Sequence, residues 1–114
     1  PLYGSTLYGD VRIAARPLSD NVLAVSTPFD VFNSWSGEIV LNSNKLFARG
    51  NVSGRYDLYT VLLQETGHVL GVDNSPDTGS AMFTTYTAAR TGLGTGDAAA
   101  VQRLYGARAA DRFD

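Results

Sequence analysis

A chain of 114 residues, 44% hydrophobic and 18% charged, is one domain's worth of sequence, with room for a single core. Its formal charge of -2 and its scattered arginines (Arg103, Arg108, Arg112) exclude the electrostatic footprint of a nucleic-acid binder, and no apolar run reaches the length of a membrane span. The absence of cysteine excludes disulfides and thiolate metal sites and leaves the redox compartment open.

The chain opens at Pro1 and shows no basic-then-apolar leader, so it is expected to be a processed piece of something longer. Residues 10–16 alternate, with Val11, Ile13 and Ala15 on one side and Arg12, Ala14 and Arg16 on the other. That spacing predicts a half-buried strand, which Pro17 ends. Residues 21–26, with Leu23 and Val25 in phase, predict a second strand closed by Thr27 and Pro28. Residues 29–37 hold the single tryptophan, Trp35, among Asn, Ser and Gly, and predict a loop with an aromatic plug. Glu38, Ile39, Val40 and Leu41 predict a third strand, and Asn42, Ser43 and Asn44 a turn. Residues 45–54 read as a loop broken by Gly50 and Gly54.

A helix is predicted over residues 56–70. At about 100° per residue, Leu58, Leu62 and Val69 share one face, with Tyr59, Leu63 and Leu70 beside them and Val61 extending the arc on its other side. Gln64 and His68 project from the margin of that arc, and Glu65 falls inside it. A carboxylate in such a place is costly unless it is paired, hydrogen-bonded or facing a site. Residues 73–79, mostly polar with Pro76, predict a surface loop, and residues 81–86 return to apolar and aromatic side chains. Gly92, Gly94 and Gly96 lead into a last helix over residues 97–105, where Asp97 suits the N-terminus and Gly106 ends the run. Residues 107–114 are expected to be a frayed tail.

The chemistry concentrates in the first helix. In H-E-x-x-H two histidines four apart bind zinc and the glutamate between them is the general base, while the longer H-E-x-x-H-x-x-G-x-x-H adds a glycine turn and a third histidine. Here that frame reads Gln64, Glu65, His68, Gly71 and Asn74. Ser80, Ala81, Met82 and Phe83 follow at the distance of a Met-turn, and Leu93, Gly94, Asp97, Val101, Gln102, Leu104, Tyr105 and Gly106 resemble L-S-x-x-D…I-Q-x-L-Y-G, with Gly94 at the Ser position and Val101 at the Ile position. On these motifs most of the chain resembles the matrixins, the matrix-metalloprotease branch of the metzincins, and above all their bacterial secreted type. The resemblance implies an α+β, zincin-like fold: a twisted mixed sheet packed on the active-site helix, a Met-turn under the metal and a C-terminal helix. Residues 1–114 then form a single domain that lacks the usual first strand and first helix.

The resemblance also implies zinc, a general base at Glu65, a retained ligand at His68, ligand positions occupied by Gln64 and Asn74, a helix-ending Gly71 and a packing Met82. It implies secretion, and an extended peptide or protein lying along a sheet edge at Glu38 to Leu41. The residues themselves oppose the metal. A catalytic zinc needs three protein ligands and an open position, and His68 is the only histidine in the chain. Neutral amide oxygens suit hard cations such as calcium better, and Asp73 is one residue off the ligand register. Stoichiometric zinc is therefore not expected.

Two readings of Glu65 stand beside each other: the general-base position, or a buried carboxylate paired with Arg90 or Arg103. Three functions follow. The first is a degenerate, non-cleaving matrixin-like domain kept for binding, assembly or structure. The second is an active zinc endopeptidase with unusual ligands, and the third a structural subunit completed by another chain.

Overall fold

Arg12–Arg16 (β1), Ala24–Ser26 (β2) and Glu38–Asn42 (β3) form a three-stranded sheet in the order β1-β3-β2. The structure is a computed structural model and describes residues 11–27, 37–94 and 96–106. The expected loop around Trp35 and the expected tail lie largely outside the described residues. β1 runs parallel to β3, with Ile13 opposite Ile39, whereas β2 is antiparallel to it, with Val25 opposite Val40. The sheet is thus mixed, and β3 is its centre.

That position corrects the expectation of an edge at residues 38–41. Ile39 and Val40 are consecutive and both almost fully buried, which requires cover on both faces of the strand. Among the described strands, the antiparallel edge is β2. β1 departs from expectation too: Val11, Ile13 and Ala15 are all exposed, Ile13 by 56%, so its apolar side is not half-buried.

Asn42, expected only in a turn, is the last residue of β3 and is 0% exposed. Its Oδ1 accepts from the backbone N–H of Leu18 and of Asn44, both at 3.0 Å, and its Nδ2 donates to the carbonyls of Ser19 at 3.0 Å and Val22 at 2.7 Å. One side chain therefore fixes the connection between β1 and β2. Asn42→Ala leaves these backbone groups without partners in a buried place, so the variant is expected to lose about 3 kcal/mol in chemical denaturation.

The first helix, Leu58–Val69 (α1), starts later than predicted because Tyr56–Asp57 (β5) pairs in parallel with Phe47–Ala48 (β4), a short ladder inside what reads as a loop. Asp57 caps α1, accepting from Thr60 N at 2.9 Å, Thr60 Oγ1 at 2.5 Å and Gly50 N at 2.7 Å. Burial by itself would raise this carboxyl's pKa, but the Thr60 hydroxyl and the two amides outweigh it and hold the pKa below its ordinary value.

α1 packs on β2 and β3. Its buried residues are Thr60, Val61, Glu65 and Val69, whereas Leu58, Leu62 and Leu63 are only half-buried and Tyr59 is 51% exposed. The inward face is thus rotated from the leucine-rich one toward Glu65. The core adds Ile39, Val40, Val72, Ala81 and Met82, and the last helix, Asp97–Tyr105 (α2), has the expected bounds. No described helix is long and apolar enough to cross a membrane.

Candidate functional site

The C-terminus of α1 aims the site. Gly71 has φ +97, a conformation that costs an L side chain roughly 1–2 kcal/mol. Its N–H donates to the His68 carbonyl and the Val72 N–H to the Gly67 carbonyl, each at 2.9 Å, which is the pairing of a Schellman ending. The reversal buries Val72 and sets its carbonyl 2.9 Å from His68 Nδ1. A carbonyl only accepts, so Nδ1 carries the proton of this bond and Nε2 is the ring nitrogen left for another partner. Because a Cβ at Gly71 would meet only Leu104 Cδ1, at 3.5 Å, Gly71→Ala is expected to lose about 1–2 kcal/mol through backbone strain alone. The measurement is the denaturation midpoint, with the histidine ring signals in NMR reporting loss of the Val72 contact.

The turn at residues 80–83 lies under the helix. A Cβ on Gly67 would overlap the buried Met82 Sδ, so glycine is what allows the close approach. Ser75 N donates to the Met82 carbonyl at 2.9 Å and thereby draws the loop that carries Asn74 against this turn. Gln64 Nε2 donates to the Phe83 carbonyl at 2.9 Å. The turn itself hangs on Asp97, whose carboxylate accepts from Ser80 Oγ, from Ala81 N at 2.8 Å and from Gly94 N at 2.6 Å. Burial opposes ionisation of Asp97, but these three donors, with Arg90 adding a weaker attraction, hold its pKa below the ordinary value.

Two cavities flank the helix. One, of about 450 Å³, is bounded by the connection into β2 (Asn21, Val22, Leu23, Ala24), by Val61 and by Thr84, Thr85 and Tyr86, and it brings together Gln64, Glu65, His68 and Asn74. Four of the five frame positions, all but Gly71, therefore line one space. The other, of about 480 Å³, lies between Ala24, Val25 and Ser26 and the end of α1, and is lined by Glu65, His68, Val72 and Asp73. Asp73 lines this second cavity and not the first.

Glu65 is 8% exposed, and no described residue gives its carboxylate a hydrogen bond or an ion pair. The expected pairing with Arg90 or Arg103 is corrected: Arg90 Nη2 donates instead to the Thr78 carbonyl at 3.0 Å. Among the described residues no three of His, Cys, Asp and Glu are placed to hold a metal ion together. Sequence reasoning missed the carbonyls of Phe83 and Val72, the Asn21 to Ala24 wall and the clamp role of Asp97. The positive-φ glycine was the available signal for Val72, since a Schellman ending dictates where the next carbonyl goes.

Comparison with known proteins comes down on one family. The sequence profile described as Matrixin matches residues 15–106. The chain is 36% identical over 92 residues to a probable matrix metalloproteinase of Invertebrate iridescent virus 3, covering 79% of this chain and 25% of the viral protein. It is 34% identical over 80 residues to matrix metalloproteinase-A of Caenorhabditis elegans, covering 68% of this chain and 15% of the nematode protein. The chain thus spans a quarter or less of the length of these relatives.

Proposed function

The chain belongs to the matrixin family, and from that premise we propose that it is a degenerate matrixin domain, one that keeps the cleft of a metallopeptidase and has lost the means to hold the metal. The observation that carries this reading is the Gln64 amide, whose Nε2 is committed to the Phe83 carbonyl at a position where the family frame places an imidazole. The residues do not fit a catalytic zinc. Of the three frame positions only His68 offers an imidazole, while Gln64 and Asn74 offer neutral amides. Without a metal to lower the pKa of a bound water, Glu65 has no acidified water to deprotonate.

What the domain keeps is a place for an extended polypeptide. Among the described residues β2 is an edge strand, and Leu23 and Thr27 spend their backbone groups on β3, so by alternation Ala24 and Ser26 turn theirs outward beside the cavities. The partner-binding edge belongs here and not at residues 38–41. In this reading Met82 forms the family's Met-turn, kept for packing, and the domain works outside the cell, as the resemblance to secreted matrixins implies.

The test is proteolysis. The purified domain, supplied with zinc and incubated with casein or gelatin, is expected to release no peptides that a chelator suppresses. Chelator-sensitive cleavage that Glu65→Gln abolishes would replace this reading with that of an active endopeptidase, for which the ligand-like orientation of His68 is the one favourable observation.

A further inference from the structure

We propose that the cleft takes the ammonium or guanidinium head of a lysine or arginine side chain, presented by a polypeptide and held by Glu65. The inference rests on the reading of the domain as a metal-free binding module, and supplies the chemistry of what it binds.

Glu65 is 8% exposed as a residue, its carboxylate has no donor among the described residues, and its oxygens stay open to solvent, where a cationic partner can reach them. It lines both cavities, so the space it faces is where its partner enters. The neighbouring groups of the same helix also offer acceptors. Gln64 gives one Nε2 hydrogen to the Phe83 carbonyl and keeps its amide oxygen, with a second N–H, for another partner, and His68, donating from Nδ1 to Val72, accepts at Nε2 when its ring is neutral. A floor of acceptors around one negative charge is complementary to a cation that carries several N–H donors.

The walls narrow the class further. Val22, Leu23, Ala24 and Val61 give the cavity shared by Gln64, Glu65, His68 and Asn74 an apolar flank beside that floor. Such a flank suits the methylene stem of lysine or arginine, whose head then reaches the carboxylate. A bare metal cation makes no use of an apolar flank. The outward-facing backbone of Ala24, on the cavity wall, favours a cation carried on a chain over a free amine.

The experiment uses the purified domain and fluorescein-labelled, N-acetylated heptapeptides that differ only at the central residue: lysine, arginine, or the neutral isosteres norleucine and citrulline. Anisotropy titrations are expected to show the charged peptides binding about tenfold or more tighter than their isosteres, as for a desolvated charge-assisted pair. Glu65→Gln is expected to shrink that ratio to about twofold or less while its circular dichroism stays that of the parent. The isostere comparison needs no variant, so it decides the matter even if Glu65→Gln misfolds.

Equal affinity for charged and neutral peptides overturns the cation assignment and leaves the peptide-binding cleft standing. If n-butylguanidinium or n-butylammonium raises the melting temperature in a Glu65-dependent way while no peptide binds, the polypeptide source is overturned. Binding of none of these probes overturns the proposal altogether. Mass spectra of the same incubations separate the two levels: zinc-dependent cleavage of the peptides would sink the metal-free reading itself, whatever the affinities.

Discussion

Asp97→Ala is expected to leave the domain largely unfolded at room temperature. The carboxylate is buried and holds Ser80 Oγ, Ala81 N and Gly94 N, so its removal strands three donors at once. Hydrogen bonds to a charged group contribute about 1.5–3 kcal/mol each, and with partial relaxation a loss of about 4–5 kcal/mol is expected, near the lower end of what a small domain has in total. The surroundings offer little room to relax. A Cβ on Gly94 would overlap the Gly79 carbonyl oxygen, so the two backbone segments around Asp97 are already in contact. Urea denaturation followed by circular dichroism gives the loss directly, and Asp97→Asn, which keeps one acceptor oxygen, is expected to fall between the two.

The same group sets the response to acid. The folded-state pKa values of Asp57 and Asp97 both lie below their ordinary value of 3.8, so as pH falls the unfolded chain takes up these protons first. The stability they contribute is therefore complete above about pH 4 to 5 and is lost as pH falls through 3.8 and on through the lowered folded-state values. A urea midpoint measured between pH 5 and pH 3 should decline, and in Asp97→Asn the decline should be shallower. An Asp97→Asn profile as steep as the parent's would remove Asp97 from this account.

The second large effect is a gain. Gln64→His combined with Asn74→His is expected to raise zinc affinity by about 10² to 10⁴-fold, taking the 10- to 100-fold that a supporting partner is worth as a lower bound for each ligand. The scaffold is prepared for it. Gln64, His68 and Asn74 line one cavity, His68 is oriented through Nδ1 with Nε2 free, and Ser75 ties the loop of residue 74 to the turn below. The opposing cost is the bond from Gln64 Nε2 to Phe83, a single neutral hydrogen bond of about 1 kcal/mol. Either single change should recover only part of the gain. Isothermal titration calorimetry with zinc is the measurement, and a double variant no better than the parent would mean that the three positions do not converge on one point.

How far the sequence could be read depended on the range of the interaction. α2 was placed to the residue because Asp97 at one end and Gly106 at the other are local signals, and Gly71 marked the end of α1 for the same reason. The start of α1 was misplaced because Tyr56 and Asp57 look helical in isolation and are claimed by pairing with Phe47 and Ala48, a partner outside any helical window. The edge was assigned to the wrong strand since strand order depends on pairing across the chain, and nothing in residues 38–41 announces neighbours on both sides. Asn42 was hidden by its type: asparagine before Ser and Asn reads as a turn, and only the return of residues 18–22 shows it to be a buried knot. For the site, the positions of Gln64, Glu65, His68 and Asn74 were legible as a frame, whereas the lack of a donor to Glu65 among the described residues became visible only in the structure, which turns Arg90 to the Thr78 carbonyl.

Whether the domain holds zinc is decided by equilibrium dialysis of the unaltered domain against micromolar zinc at neutral pH, followed by elemental analysis. Far less than one zinc per chain and an unchanged melting temperature on adding chelator are expected. One zinc per chain, removed by chelator with a drop in melting temperature and lost in His68→Ala, would contradict the metal-free reading.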